Sequence, residues 1–253
     1  MVGTIILIRH GQSLWNKSNL FCGWVDIELS DKGKQQAIDS ANLIKASGIS
    51  PPDVCFTSRL TRAVQTANIV LEQLENQYID VTKSWRLNER HYGKLQGLSK
   101  NAVLDEYGEE KYMYWRRAYN GCPPLVTPED KYYCIDDKHR YQEALESELP
   151  RGESLKMVMD RLLPFYHETI VPELQKGKTV LIVSHGSVVR ALAKFLYEID
   201  EEAIAKINIP NGIPLVIKMT DELTPIGKEI EYLAPERAKI EAEKVARQGF
   251  EHK

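Results

Sequence analysis

Thr179-Val180-Leu181-Ile182-Val183-Ser184 is the clearest strand signal in the chain, an apolar run too short for a helix and rich in β-branched side chains. It leads at once through His185-Gly186 into a segment carrying Val189, Leu192 and Phe195 at helical spacing. A strand that is apolar without alternation is covered on both faces, as in a parallel sheet. Outward from this unit the pattern recurs. Thr4 to Ile8, Val54-Cys55-Phe56-Thr57, Ile79 to Lys83 and Ile213 to Lys218 all read as strands. Ser30 is an N-cap for a helix carrying Ala37, Ala41 and Ile44, ended by Gly48 and Pro51-Pro52, and Arg59 to about Asn76 has a helical period. Short strands alternating with helices predict an α/β fold with a mostly parallel sheet covered by helices on both faces.

The chain has 253 residues, 43% hydrophobic and 27% charged, which excludes disordered and fibrous classes. A single domain over 1–253 is expected, since no repeat, low-complexity tract or linker interrupts it. The net charge of −3 gives no global attraction for nucleic acid or an anionic membrane, so a bound anion must be held by a local cluster of cations. No apolar run approaches the ~20 residues of a membrane helix, and Ile5 to Ile8 is too short for a signal-peptide core. Cys22, Cys55, Cys122 and Cys134 form no C-x-x-C pair and no zinc-like spacing with histidine, so free thiols and a cytoplasmic location are expected.

Two stretches break the alternation. Tyr119 to Arg151 holds Pro123, Pro124, Pro128 and Pro150 with charge clusters and no period, and is expected to be an excursion over an active-site mouth. From Pro235 to Lys253 charges alternate with alanine, predicting a surface helix in a C-terminal tail. Excursion and tail together are expected to close over a bound ligand.

In open α/β sheets functional residues gather beyond the carboxyl ends of the strands. Arg9-His10-Gly11 lies there after the first strand and His185-Gly186 after the strand ending at Ser184, placing two of only six histidines in equivalent turns. The first turn lacks G-x-G-x-x-G, so a dinucleotide site is not expected. Arg9 and His10 offer a cation beside a neutral nucleophile, and His185-Gly186 opens a helix whose N-terminus favours an anion.

These turns sit inside longer motifs: Leu7-Ile8-Arg9-His10-Gly11-Gln12-Ser13-Leu14-Trp15-Asn16, Phe21-Cys22-Gly23-Trp24, Leu29-Ser30-Asp31-Lys32-Gly33, Arg62-Ala63 and Trp85-Arg86-Leu87-Asn88-Glu89-Arg90-His91-Tyr92-Gly93. Leu95-Gln96-Gly97-Leu98, Trp115-Arg116-Arg117, Glu153-Ser154-Leu155 and Ile209-Pro210-Asn211-Gly212-Ile213-Pro214 complete the set. Along nearly its whole length the chain resembles the cofactor-dependent phosphoglycerate mutases of the histidine phosphatase superfamily. The Leu87 to Tyr92 stretch and the Arg116-Arg117 pair point to the mutase branch.

The resemblance implies that His10 takes the phosphoryl group as a phosphohistidine and that Glu89 is the general acid and base. It implies that Arg9, Arg62 and His185 hold the transferring oxygens, assisted by Asn16 and Gly186. Arg90, Tyr92, Lys100, Arg116 and Arg117 would bind the substrate carboxylate and second phosphate, with Ser13, Cys22, Gly23 and Ser187 also at the substrate. The implied reaction interconverts 3-phosphoglycerate and 2-phosphoglycerate in glycolysis and gluconeogenesis, primed by 2,3-bisphosphoglycerate, with no metal, in a homodimer or homotetramer. Such transfer is mostly positioning and charge stabilisation, for which arginine suits bidentate phosphate contact.

The chain departs from this pattern in places, around the second histidine reading Ser184-His185-Gly186-Ser187-Val188 where Ala-His-Gly-Asn-Ser is usual. Gln12 stands where glutamate is usual, and Ser187 replaces an asparagine after the second histidine, removing an amide donor. A bisphosphoglycerate mutase or phosphatase of the same superfamily is the alternative, and Ser13, where such mutases tend to carry glycine, argues against it. A catalytically weak phosphoester-binding protein is a further alternative, against which the presence of His10, Glu89 and His185 together counts.

Overall fold

In the computed structural model, which describes residues 3–250, the chain runs β1 (Thr4–Arg9), α1 (Leu14–Lys17), α2 (Asp31–Ala46), β2 (Val54–Thr57), α3 (Thr61–Gln73), β3 (Asp80–Lys83) and α4 (Lys100–Arg117). It continues through α5 (Leu155–Phe165), α6 (Val171–Gln175), β4 (Thr179–Ser184), α7 (Gly186–Leu196), α8 (Glu201–Lys206), β5 (Leu215–Lys218), β6 (Glu231–Tyr232) and α9 (Pro235–Arg247). The strands form one sheet in the order β3-β2-β4-β1-β5-β6. β3, β2, β4 and β1 are parallel neighbours, and β5 and β6 add an antiparallel edge, so the sheet is mostly parallel.

Alternate residues of the inner strands feed two cores. Ile5, Leu7, Val180 and Ile182 pack with Leu155, Val158 and Leu162 of α5 and Val188 and Leu192 of α7. Ile6, Ile8, Leu181 and Val183 pack on the other face with Ala37, Ala41 and Ile44 of α2 and Ala67, Val70 and Leu71 of α3. This two-sided burial is the physical reason that β1 and β4 are unbroken apolar runs.

Several boundaries move. Ser30 does cap α2, its hydroxyl accepting from Gly33 N at 3.1 Å. The helix expected from Arg59 starts later, with Leu60 as its N-cap, and Asn76 lies beyond its end, donating from its side chain to Pro52 O at 2.5 Å. The last expected strand begins after Pro214, whose missing N–H cannot join a ladder. β3 is exposed along its length as the sheet edge, and the two-residue β6 has no signal in the sequence.

The stretch 119–151 packs differently from the expectation of an excursion over the site mouth. Ile135, Tyr141 and Leu149 bury against Trp24 and Trp85, while Arg140 pairs with Asp26 at 2.7 Å and Glu143 with Arg59 at 2.6 Å. Apolar side chains within the proline-rich run draw it onto this tryptophan cluster. The tail does form the helix α9, with Ala238 and Val245 buried, and its last three residues, 251–253, lie outside the described residues.

Gly11 and Gly33 bring the turn after β1 against the start of α2. A Cβ on Gly11 would overlap the Gly33 carbonyl oxygen, and one on Gly33 would overlap the Gln12 carbonyl oxygen. Both obstacles are backbone and cannot rotate away. Gly11→Ala is therefore expected to destabilise the protein by about 1–3 kcal/mol, the usual cost of overpacking, read as a lower urea midpoint with unchanged slope.

Candidate active site

His10 follows β1 and His185 follows β4, and the parallel register that pairs Arg9 with Ser184 sets them side by side. Their ring centroids are 4.9 Å apart at 63°. His10 Nδ1 lies 2.6 Å from Gly11 O, and since a carbonyl only accepts, Nδ1 carries the hydrogen. Nε2 is left with its lone pair, facing Arg62 Nε at 3.3 Å. Burial, then Arg62, then Arg9 push the His10 pKa well below the ordinary value, so the imidazole is a neutral nucleophile at pH 7. His185 is pushed down in the same way by burial, Arg62 and His10.

Arg62, on α3, is fully buried and donates to Val25 O at 3.0 Å and Gly23 O at 2.7 Å. Arg9 donates to Ile209 O at 2.6 Å, and its Nε is buried without a protein partner. Burial lowers its pKa. Both guanidiniums are thus anchored by backbone carbonyls and, among the described residues, neither forms a direct ion pair, although the nearby Glu89 carboxylate partly offsets the effect of burial on Arg9.

Glu89 lies in the loop after β3. Its Oε1 accepts from Arg90 N at 2.9 Å and from Ser187 N at 3.2 Å, at the start of α7. Its backbone carbonyl accepts from Trp24 Nε1 at 2.6 Å and Arg161 Nη2 at 3.0 Å. Arg161 also holds the carbonyls of Arg86 and Asn88, and is itself held by the buried carboxylate of Glu153 at 2.7 Å.

Lys100 and Arg116 sit near opposite ends of α4 yet line one cavity. An unbroken helix would put them ~24 Å apart. The break at Gly108, φ 78° and ψ 165°, turns the second half of the helix back toward the first. The C-terminal segment fills the gap. Gln248 Oε1 accepts from Lys100 Nζ at 2.8 Å and Arg116 Nη2 at 3.2 Å, Gln248 O accepts from Arg116 Nη1 at 3.0 Å, and Val245 O accepts from Arg116 at 2.6 Å and Arg117 at 3.5 Å.

One cavity joins Arg9, His10, Asn16, Cys22, Gly23, Arg62, Glu89, Tyr92, Lys100, Arg116, Arg117, Gly186 and Ser187. Three residues expected at the site are buried beside the cavity and do not line it. His185 backs His10, and Ser13 caps α1 and touches Cys22 Sγ at 3.6 Å. Arg90 is fully buried, donating to Tyr92 Oη at 3.2 Å and Arg116 O at 2.7 Å. Gln12 turns away to accept from Ser30 Oγ at 3.0 Å. Leu20, Phe21, Arg190, Ile209, Val245 and Gln248 complete the lining and were not anticipated. Arg190 carried a signal, a cation inside the apolar stretch Val188 to Ala193 of α7, whereas Val245 and Gln248 reach the cavity only through the packing of α9.

Arg9, Arg62, Lys100, Arg116, Arg117 and Arg190 therefore converge on a lining in which Glu89 is the only carboxylate among the described residues. Burial, followed by Arg116, pushes the Lys100 ammonium down to about 7, and burial, followed by Arg90, pushes Arg190 to about 10. Such a cavity suits a small polyanion and can accept a phosphoryl group on His10. Among the described residues no group of three or more His, Cys, Asp or Glu could hold a metal ion, and no helix is long and apolar enough to cross a membrane.

The sequence profile of the histidine phosphatase superfamily, branch 1, matches residues 5–130 and 125–226. A phosphoglycerate mutase of Candida albicans is 48% identical over 245 residues, 97% of this chain and 98% of that protein. A 2,3-bisphosphoglycerate-dependent phosphoglycerate mutase of Thermobifida fusca is 46% identical over 98% of this chain and 100% of that protein. Phosphoglycerate mutase 1 of Saccharomyces cerevisiae is 47% identical over 97% and 98%. In fold, the chain matches a mycobacterial glucosyl-3-phosphoglycerate phosphatase with a TM-score of 0.68, at 23% identity over 91% of this chain and 98% of that one.

The lowered Lys100 pKa links anion binding to pH. Below about 7 the ammonium is charged in the free protein, and above it binding an anion must draw a proton onto Lys100. Affinity for sulfate, whose own charge is constant, is expected to fall as pH rises from 6.5 to 9, with a slope approaching tenfold per unit. Titration calorimetry across this range checks it, and Lys100→Arg is expected to flatten the dependence.

Proposed function

The chain belongs to the histidine phosphatase superfamily, and from that premise we propose that it interconverts 3-phosphoglycerate and 2-phosphoglycerate through a phosphohistidine on His10. The observation that carries this is His10 itself, neutral, with Nε2 unprotonated and its lone pair toward Arg62, its other nitrogen tied to Gly11 O, set among six cations. Relatives at 45–48% identity over nearly the whole chain carry the name phosphoglycerate mutase, two of the three named above without a stated cofactor and one as 2,3-bisphosphoglycerate-dependent.

His10 Nε2 attacks phosphorus, the N–P bond forms as the P–O bond to the departing hydroxyl breaks, and Glu89 delivers the proton that the leaving oxygen needs. In the return half-reaction Glu89 takes the proton from the attacking substrate hydroxyl and His10 leaves. Arg9 and Arg62 balance the charge on the transferring oxygens, His185 donates a hydrogen bond to them, and the Ser187 and Arg90 backbone N–H groups hold Glu89 in place. Lys100, Arg116 and Arg117 take the carboxylate and second phosphate, and Arg90 supports Arg116 and Tyr92 from behind.

The cation-rich lining and the unpartnered buried Arg9 Nε fit 2,3-bisphosphoglycerate, which would be held by the same arginines and would supply the phosphoryl group that primes His10. To receive the second anionic group, Lys100 and Arg116 must release Gln248 and Val245. The tail is accordingly a cover whose carbonyls stand in for substrate oxygens and exclude water. The proposal places the protein in the cytoplasm as a homodimer or homotetramer of single-domain protomers, which cell fractionation and native mass test.

His10→Ala is expected to abolish both turnover and an acid-labile label from 2,3-bisphosphoglycerate. Glu89→Gln is expected to lower turnover by about 10²–10⁴-fold while substrate still binds. A label that persists in His10→Ala, or normal turnover in Glu89→Gln, would remove these roles. Truncation after Pro235 is expected to raise hydrolysis of the phosphohistidine relative to transfer, measured as inorganic phosphate released per 2-phosphoglycerate formed.

A further inference from the structure

Ser58 follows β2 directly and is fully buried. Its Oγ accepts from Leu60 N at 3.1 Å and lies 2.7 Å from Nε2 of His185. A serine hydroxyl has one hydrogen to give. Among the described residues it has no other recorded acceptor, so a hydrogen on Nε2 would leave the hydroxyl proton buried and unpaired. The bookkeeping closes only if Ser58 donates and Nε2 accepts.

The ring proton of neutral His185 then resides on Nδ1. That nitrogen is buried and has no protein partner, while the ring it belongs to lies against His10. Arg62, Arg9, Arg161 and His10 surround the imidazole and, with burial, disfavour a second proton. An unpartnered buried N–H next to a nucleophile is a donor awaiting an oxygen that the protein does not provide.

We infer that Ser58 is a positioning residue, locking His185 as the neutral Nδ1–H tautomer so that the ring presents a donor to the phosphoryl oxygens transferred at His10. This deepens the assignment of His185 above and rests on it. Histidine in water prefers the opposite tautomer, with the hydrogen on Nε2. That form would turn a lone pair toward an anionic oxygen, reversing the interaction without changing the shape of the site.

The test is long-range ¹H–¹⁵N correlation on the full chain labelled at histidine, with His185→Gln used to assign the signals. Wild type is expected to show a protonated Nδ1 and an unprotonated Nε2 at His185, and a protonated Nε2 would overturn the inference before any variant is made. Ser58→Ala is expected to shift His185 toward the Nε2–H form, and Ser58→Thr, which keeps the hydroxyl, to retain the wild-type pattern. An unaltered tautomer in a folded Ser58→Ala protein would also overturn it. In Ser58→Ala, kcat is expected to fall about 10–100-fold with KM little changed, and Ser58→Thr to recover most of it. A shifted tautomer with full turnover would leave Ser58 in its positioning role and refute His185 as the phosphoryl donor, so the two failures are distinguishable.

Discussion

Arg9 pairs with Ser184 at the carboxyl ends of two adjacent parallel strands, and the next residue of each strand is a histidine. A parallel pair advances in step, so both backbones arrive at the same height before turning away. His10 and His185 meet for this reason and for no other, being far apart in the chain. Once they meet, the rest of the site is arranged around them. The end of β1 carries Arg9 and the turn after it Gly11, the start of α3 brings Arg62, and the start of α7 supplies the Ser187 N–H that receives Glu89.

Glu89 presents the opposite problem, since it lies in an irregular loop that no ladder holds. The buried pair of Glu153 and Arg161 substitutes for one. Arg161 gathers the carbonyls of Arg86, Asn88 and Glu89, while Glu153 takes the His91 N–H at 2.7 Å. Backbone groups that would otherwise be unpaired under the tryptophan cluster are thereby satisfied. The stretch 119–151 contributes from outside, through the Tyr141 hydroxyl, which accepts from Asn88 Nδ2 at 3.2 Å. Its work is to buttress the loop that carries the carboxylate, and none of its residues lines the cavity.

Residues whose place is set by strand ends were legible in the sequence, because period and strand length fix where a parallel strand stops. His10, Arg9, His185 and Gly186 belong to this class. So do α2 with its Ser30 cap and the unbroken apolar runs of β1 and β4. What stayed hidden depends on which side of a wall a side chain takes. Arg90 and Arg116 are both arginines in polar stretches, yet one is sealed behind the other. Arg190 looks like a stray charge on an apolar helix until the carbonyls of Arg117 and Ile204, which it holds at 3.0 and 2.8 Å, are seen. Val245 and Gln248 are legible only after α9 has docked, since a helix alternating charge with alanine does not say which turn is buried.

The position of β1 inside the sheet has a consequence for how the protein is made. Its two neighbours are β4 and β5, which begin at Thr179 and Leu215. As the chain leaves the ribosome, Ile5 to Ile8 must wait for some 170 further residues before either hydrogen-bonding edge is covered. At 5–20 residues per second that wait is roughly 10–30 s. During it the most apolar strand segment near the beginning of the chain has no native partner and is a ready template for pairing with another nascent chain. The same connectivity that brings two histidines together therefore makes the newborn chain dependent on whatever shields its first strand until its last third is translated.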